Sequence, residues 1–267
     1  DMGLVKDEEP FRNLLTQGMV NKDGKKMSKS IGNVVSPEEI IAKYGADTAR
    51  LFILFAAPPD RELDWSDAGV EGSYRFLNRV YRLIYEIKAK YPDMPQAFEV
   101  KTEADKNLNY VLNYTIKKVS EDAGGRFNFN TAISSIMELV NEMYKYKEQD
   151  QVNSGLLGKA AKNLILILSP FVPHICEEMW EHMGETKSVT AMRWPEYDES
   201  ALVKDTVEVV VQINGKVKDK VVVSADADKG QLEKIALEND KIKRLLEGRS
   251  VVKVVAVPGR LINIVVK

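Results

Sequence analysis

The spacing of apolar residues changes along this chain of 267 residues, and that change limits the folds available to it. Between Ser66 and Met183 the apolar residues recur at steps of three and four, which is the period of amphipathic helices. Between Val207 and Val223 they alternate, and Asn214-Gly215 adds the strongest short signal for a β-hairpin. The two periods predict a mainly α chain with a small α+β part at its C-terminal end.

Capping residues and helix breakers divide the helical region into segments of ordinary helix length. Helix starts are predicted at four capping-type residues, Ser66, Thr102, Asn130 and Ser154. Prolines or paired glycines mark the breaks, at Pro92, Gly124-Gly125 and Pro170. Because the connections are short, we expect successive helices to pack as an antiparallel bundle.

The C-terminal segment has the pattern of a ββαββ domain. Two strands flank Asn214-Gly215, and a helical stretch over 228–246 is interrupted near Asn239. Two more strands are predicted over 251–257 and 261–266. Strict alternation in the second strand would place its apolar face at Val217, Val221 and Val223. The opposite face would then carry three cations, Lys216, Lys218 and Lys220.

A compact cationic segment lies near the N-terminus, at Gly24-Lys25-Lys26-Met27-Ser28-Lys29-Ser30-Ile31-Gly32-Asn33. Asp23-Gly24 predicts a tight hairpin turn before the lysines. Ser36-Pro37 predicts a helix start after them, with Glu39 completing a capping box. A loop that combines ammonium groups, hydroxyls and main-chain N–H groups suits a polyphosphate. A generic lysine cluster, by contrast, is usually a solvated turn.

Composition limits the kinds of site that the chain can hold. The formal charge is −2, so nucleic-acid binding would require local basic patches. Cys176 is the only cysteine, which excludes a disulfide within the chain and a cysteine zinc cluster, and fits a cytoplasmic protein. No apolar run approaches the roughly 20 residues that span a membrane, so we expect no membrane partner.

Three polar side chains, His174, Glu178 and His182, share one helical stripe and could in principle hold a metal. Three ligands from one straight helix make a poor site, and the neighbouring prolines and apolar residues favour a structural role. We therefore predict no metal site in this segment.

A stripe of arginines on the long helix, Arg75, Arg79 and Arg82, allows two interpretations. It is either a solvated helix face or a set of contacts with RNA phosphates. The same choice applies to the three lysines of the C-terminal hairpin, which also discourage edge-to-edge strand pairing.

The five residues Lys26-Met27-Ser28-Lys29-Ser30 are identical to the signature loop of class I aminoacyl-tRNA synthetases, which this chain resembles. Ser169-Pro170-Phe171-Val172-Pro173-His174 resembles a hallmark of the helical anticodon-binding domain in the leucine, isoleucine, valine and methionine enzymes. Within that class, the bacterial leucine branch is similar at 43–50, 126–131 and the hairpin 211–216.

The resemblance implies a role in joining leucine to its tRNA, with ATP as a substrate. Catalysis would use Lys26 and Lys29, and the ATP phosphates would bind Lys26, Met27, Ser28, Lys29 and Ser30. Mg²⁺ is expected with ATP in the whole enzyme, and no cofactor is expected on this chain alone. Candidate contacts to tRNA(Leu) are Arg75, Arg79, Arg82, Lys216, Lys218 and Lys220.

The resemblance also implies three regions: the end of the catalytic region at 1–60, an anticodon-binding-type bundle at 61–195, and a tRNA-binding ββαββ domain at 196–267. Neither histidine stands in the His-Ile-Gly-His motif of the family's first half. We therefore expect partner catalytic and editing domains N-terminal to this chain in one monomeric enzyme, and no activity from this chain alone. The alternatives are a free-standing non-catalytic tRNA-binding module, the isoleucine, valine or methionine enzyme, and a helical protein scaffold.

Overall fold

The computed structural model describes Gly3, Lys6, Phe11 and residues 14–203, 206–224 and 227–267. Most of 1–13, the start of the predicted catalytic region, thus lies outside the described residues. The chain forms two compact units, Asp1–Glu199 and Ser200–Lys267. No helix in the described ranges is both long and apolar enough to cross a lipid bilayer.

The first unit begins with a small sheet and two helices. Strand β1 (Val20–Lys22) lies between an antiparallel neighbour, β2 (Lys25–Lys26), and a parallel neighbour, β3 (Leu63–Asp64). Helix α1 (Pro37–Tyr44) and helix α2 (Ala46–Ala56) meet at Gly45, whose φ of 84° is in the region that favours glycine.

The start of α1 agrees with the prediction, but the predicted capping box is wrong. Ser36 precedes the helix and Pro37 is its first residue, yet the Ser36 side chain makes no capping hydrogen bond. Pro37 brings no N–H of its own, and Glu39 is exposed. Water can therefore satisfy the remaining N–H groups at this helix start without a side-chain cap.

Five further helices form the predicted bundle: α3 (Asp67–Lys90), α4 (Glu103–Glu121), α5 (Phe129–Lys147), α6 (Ser154–Leu168) and α7 (Pro173–His182). Their apolar stripes meet in one core, in which Leu83, Ile116, Ile136 and Leu164 are fully buried. Asn153 caps α6 in place of the predicted Ser154. A 3-10 turn, Val189–Ala191, follows the bundle.

A buried polar cluster joins three helix ends inside the bundle. The Tyr146 hydroxyl, at the end of α5, donates to the Asp105 carboxylate and accepts the Asn153 N–H at 2.9 Å. The same carboxylate accepts the N–H groups of Lys101 (3.0 Å) and Thr102 (3.1 Å) at the start of α4. Burial raises the pKa of Asp105, but these hydrogen bonds outweigh it and hold the pKa below its usual value.

The connection between α4 and α5 is a π-helical turn, Asp122–Arg126, which contains the predicted stop at Gly124-Gly125. The fully buried Asp122 carboxylate accepts hydrogen bonds from Lys118 and Thr131. Burial raises the pKa of Asp122, but these two partners and the Arg126 cation lower it by more than burial raises it, so the pKa lies below its usual value.

One carboxylate on α2 binds the start of α7. Asp47, which is 8 % exposed, accepts the Ile175 N–H at 2.8 Å in the first turn of α7. Arg50 donates to the other carboxylate oxygen at 2.9 Å, and the His174 ring lies 3.0 Å from it. A carboxylate at a helix start satisfies N–H groups that have no partner within the helix.

The second unit is a four-stranded sheet with helices on one face, which confirms the ββαββ prediction. Its strands are β4 (Thr206–Ile213), β5 (Lys216–Ser224), β6 (Val251–Val257) and β7 (Leu261–Val266), in the order β5-β4-β7-β6. The central pair β4–β7 is parallel and the outer pairs are antiparallel. The unit opens with a 3-10 turn, Ser200–Leu202.

The helices of this unit are α8 (Lys229–Glu238) and α9 (Asp240–Leu246), separated at Asn239 as predicted. The Asn239 side chain accepts the Ile242 N–H at 3.0 Å and so caps α9. Leu232 and Ile242 are fully buried against the apolar face of the sheet.

Candidate functional site

The cationic segment is carried by a β-hairpin, as predicted. Lys22 pairs with Lys25, so Asp23-Gly24 is a two-residue loop. The φ angles of Asp23 and Gly24 are 54° and 69°, the left-handed values that a type I′ turn requires. The pairing places Lys26, the first signature residue, at the end of strand β2.

The base of the hairpin is attached to the connector that precedes α3. The Leu63 N–H donates to the Met19 carbonyl at 2.9 Å, which extends the parallel pairing of β1 and β3. A Cβ at Gly18 would lie 2.0 Å from the Arg61 carbonyl oxygen, so only glycine allows the two main chains to approach this closely.

Residues 28–32 form one tight turn after the hairpin. The Ile31 N–H donates to the Ser28 carbonyl at 3.2 Å, and the Gly32 N–H donates to it at 3.1 Å. Gly32 has a φ of 75°, which reverses the chain direction at the end of the turn. The hydroxyls of Ser28 and Ser30 lie 2.6 Å apart. The turn therefore brings Ser28, Lys29 and Ser30 close together, with Lys29 and Ser30 exposed.

Asn33 connects this turn to the hairpin. Its Oδ1 accepts the Ser28 N–H at 2.9 Å, and its Nδ2 lies 3.3 Å from the Lys26 carbonyl, 3.4 Å from that of Lys22 and 3.5 Å from that of Lys25. No pattern in the sequence predicted a role for Asn33. A Gly-Asn pair signals a turn, but no local pattern indicates that its amide reaches back by up to 11 residues.

The predicted phosphate-binding residues 26–30 lie together on this loop. Lys26 and Lys29 are exposed, and neither ammonium has a partner in the part of the chain that the structure describes. No cluster of three or more His, Cys, Asp or Glu residues that could hold a metal occurs among the described residues. The loop thus presents cations and donors, the groups that bind an anion.

The predicted arginine stripe lies on one side of α3, but its members have different surroundings. Arg75 pairs with Glu71 at 3.0 Å on the surface. The Arg79 guanidinium lies 4.6 Å from the ring centre of Tyr144, so it packs against α5. Arg82 is an exposed cation of this stripe without an ion pair among the described residues.

Strand β5 contains a β-bulge that strict alternation did not predict. Val211 lies opposite Asp219, but the next pair is Gln212 with Val217, so Lys218 has no opposite residue. Because Lys218 is an extra residue in the strand, the alternation of side chains between the two faces of the sheet shifts by one position across it. Val217 is consequently 60 % exposed, and its predicted place in the apolar face is wrong.

The bulge also separates the three lysines. Lys216 lies opposite the core residue Ile213, whereas Lys220 lies opposite Val210 on the other face and pairs with Glu208 at 2.7 Å. The predicted single lysine face is therefore wrong. All three lysines are exposed, so they remain available to a ligand, but from different directions.

The stripe considered for a metal contacts other side chains of the first unit. His174 lies against Asp47, as described above. The Tyr85 hydroxyl donates to Glu178 at 3.1 Å, and the Tyr85 ring stacks on His182 with a centroid distance of 3.6 Å. His174 thus contacts Asp47, and Glu178 and His182 both contact Tyr85.

Comparison with known proteins gives two family matches and similarity to solved structures. The family described as tRNA synthetases class I (I, L, M and V) matches residues 2–66, and the anticodon-binding domain of tRNA ligase matches residues 105–236. A crystal structure of the ternary complex of Agrobacterium radiobacter K84 agnB2 LeuRS with tRNA and LeuAMS is 30 % identical, with a TM-score of 0.75. The similarity covers 94 % of this chain and 33 % of the LeuRS chain, so this chain spans about a third of that length.

Proposed function

Since this chain belongs to the class I tRNA synthetases of the isoleucine, leucine, methionine and valine group, we propose that it is part of a leucine–tRNA ligase. The signature loop binds the ATP phosphates, and the bundle and the C-terminal unit contact tRNA(Leu). The leucine pocket and the editing domain lie in other parts of the same monomeric enzyme. The 30 % identity to a LeuRS that was solved with tRNA and LeuAMS supports leucine as the amino acid.

The observation that carries the proposal is the signature loop itself. The five signature residues run from the end of strand β2 into the turn that follows it, and Lys26, Lys29 and Ser30 are exposed. The ammoniums of Lys26 and Lys29 have no internal partner in the described part of the chain. A protein that only binds RNA has no need for such a loop at the edge of a nucleotide-binding region. The loop therefore favours a ligase over a free-standing binding module.

The chemistry requires charge stabilisation at the leaving group. The leucine carboxylate attacks the α-phosphorus of ATP; a new O–P bond forms, and pyrophosphate leaves as the bond to the bridging oxygen breaks. Lys26 and Lys29 meet the pyrophosphate oxygens more strongly as charge accumulates on them, and such differential contact raises the turnover rate. Mg²⁺ enters with ATP as part of the substrate.

The second step does not require the loop. The tRNA terminal ribose hydroxyl attacks the leucyl carbonyl carbon, and adenylate leaves. Because pyrophosphate has departed before this step, the lysines have no developing charge to stabilise. The two steps can therefore be separated in an experiment.

Lys29→Ala in the complete enzyme tests the proposal. We expect leucine-dependent ATP–pyrophosphate exchange to slow about 100- to 1,000-fold, the usual loss for one donor to developing charge. The Michaelis constant for ATP should rise much less, and transfer from preformed leucyl-adenylate should stay nearly normal. Lys25→Ala, which lies on the same hairpin outside the signature, is the matched control and should change little.

Three outcomes would count against this function. Equal slowing of both steps would mean that the loop acts on something other than pyrophosphate. Exchange that depends on isoleucine, valine or methionine rather than leucine would move the chain to another member of the group. Leucine-dependent exchange by this chain alone would show that the expected division of the active site is wrong.

The tRNA contacts have a separate test in which salt dependence is the readout. If about three to five phosphates are contacted, log affinity should fall against log salt with a slope of roughly −2 to −4. Reversing Lys216, Lys218 and Lys220 to Glu should weaken binding and reduce that slope. Lys220→Glu alone should have the smallest effect, because Lys220 is already paired with Glu208. If the affinity for tRNA changes neither with salt nor in the triple variant, the C-terminal hairpin does not contact the tRNA.

A further inference from the structure

Among the described residues, the Asn33 side chain makes more hydrogen-bond contacts to the signature loop and its hairpin than any signature side chain does. Its Oδ1 accepts the Ser28 N–H, and its Nδ2 faces the carbonyls of Lys22, Lys25 and Lys26. The Lys26 carbonyl and the Ser28 N–H flank Met27, so one side chain holds both ends of this three-residue segment. Half-buried itself, Asn33 lies between strand β2 and the turn that contains Lys29.

The main chain alone does not close the loop in this way. The turn at residues 28–32 has its own hydrogen bonds, and the hairpin has its ladder. Between them the Met27 N–H donates to the Val20 carbonyl at 3.2 Å, and the Ser28 N–H has its bond to Asn33. Loss of the amide would leave the turn and the hairpin joined chiefly through Met27.

This position requires an acceptor for the Ser28 N–H and a donor toward the carbonyl oxygens of the hairpin, and a carboxamide supplies both. It offers an acceptor and two donors on one planar group. A carboxylate could still accept the Ser28 N–H, but it would face the carbonyl oxygens with no donor. An alanine would remove both halves of the interaction. Asn33→Asp and Asn33→Ala therefore separate the acceptor role from the donor role.

We propose that Asn33 is a positioning residue for the ATP-phosphate loop, which sets the main chain at Lys26 and Ser28 so that the Lys26 and Lys29 ammoniums act together. This inference rests on the proposed function of the loop. Asn33 touches no reacting atom in it; its contribution reaches ATP through the two lysines. Misplacement by a fraction of an ångström is costly where catalysis depends on aligned charges.

The first measurement does not depend on the enzyme's function. Amide hydrogen exchange of this chain, followed by NMR, should show Ser28 protected in the wild type. Asn33→Ala should raise the Ser28 exchange rate about tenfold, whereas Asn33→Asp should preserve part of the protection. Asn21→Ala is the matched control, since Asn21 lies on the same hairpin but its amide donates to Glu62, which directly precedes β3, and not to the loop. An unchanged Ser28 rate in Asn33→Ala would overturn the proposal.

The second measurement is a double-mutant cycle in the complete enzyme. Asn33→Ala should lower kcat of ATP–pyrophosphate exchange about 10- to 100-fold, with the Michaelis constant for leucine unchanged. Lys29→Ala should cost much less in the Asn33→Ala background than in the wild type, because the lysine is already misplaced. If the kcat losses of the two single variants simply multiply in the double variant, the positioning role of Asn33 is rejected, but the proposed binding of ATP phosphates by the signature loop is not. If Lys29→Ala has no effect in either background, the proposed function fails instead.

Discussion

Replacing Tyr146 with phenylalanine tests how much one hydroxyl contributes to the helical unit. Tyr146 is 1 % exposed, and its hydroxyl joins the start of α4, the end of α5 and the start of α6 through Asp105 and Asn153. A hydrogen bond to a charged group contributes about 1.5–3 kcal/mol, and an N–H left without a partner costs about 1–3 kcal/mol. We therefore expect a loss of about 3 kcal/mol in the free energy of unfolding, or roughly 6–12 °C in Tm.

The loss should depend on pH in one direction. The folded-state pKa of Asp105 lies below its unfolded value near 4, so its interactions stabilise the protein fully above that pH. This stabilisation is lost as the pH falls through the folded pKa. Without the Tyr146 hydroxyl the folded pKa of Asp105 rises. The difference between wild type and variant should thus be constant from about pH 5 to 8 and shrink below about pH 4.

Urea unfolding followed by helical circular dichroism at several pH values measures both effects. Tyr144→Phe is the matched control on the same helix, because the Tyr144 hydroxyl donates to the main-chain carbonyl of Arg79 at 2.8 Å near the surface. The control should lose about 0.5–1.5 kcal/mol, without the acid dependence. If Tyr146→Phe costs no more than the control, or if its cost at pH 3 is as large as at pH 7, the cluster does not link the three helix ends in this way.

Three further changes have defined outcomes. Gly18→Ala places a Cβ 2.0 Å from the Arg61 carbonyl, so we expect faster hydrogen exchange across β1 and β3, and unchanged exchange there would contradict the close approach. Asp47→Ala removes the acceptor of the Ile175 N–H and should lower stability by about 1–3 kcal/mol, measured by urea unfolding, with Arg50→Ala as a milder comparison. The folded-state pKa of Asp122 is lowered, so its contribution to stability is lost as the pH falls below about 4, and Asp122→Asn should make the free energy of unfolding fall less steeply with pH in that range. An equally steep fall in the variant would show that Asp122 does not contribute to the acid dependence.

Local signals predicted the elements of this chain well, and the reason is physical. Strand signals placed β6 and β7 at 251–257 and 261–266, and the capping residue Asn239 marked the break between α8 and α9. Such features depend on residues within one helical turn or one hairpin, so the sequence carries them directly. The failed capping box at Ser36 shows the limit, because an exposed helix start can use water instead.

The bulge at Lys218 shows a second limit. Valines and lysines do alternate at the start of β5, but in the pairing with β4 Lys218 has no opposite residue. The side chains before Lys218 therefore lie on the opposite faces from those that strict alternation predicts. The choice of register belongs to two strands and to the core beneath them, not to either strand alone. A prediction from one strand therefore assigned Lys216 and Lys220 to a common face that they do not share.

The sequence by itself determined the helical bundle, the ββαββ unit and the identity of the signature loop, because each follows from periodicity, turn chemistry or five consecutive residues. Only the tertiary structure decided how that loop is held. Asn33 reaches back to the hairpin, Gly18 approaches Arg61, and Asp47 binds the first turn of α7 more than 120 residues later. Hydrogen bonds between distant segments leave no periodic or local trace, since either partner looks like an ordinary polar residue until the fold brings the two together.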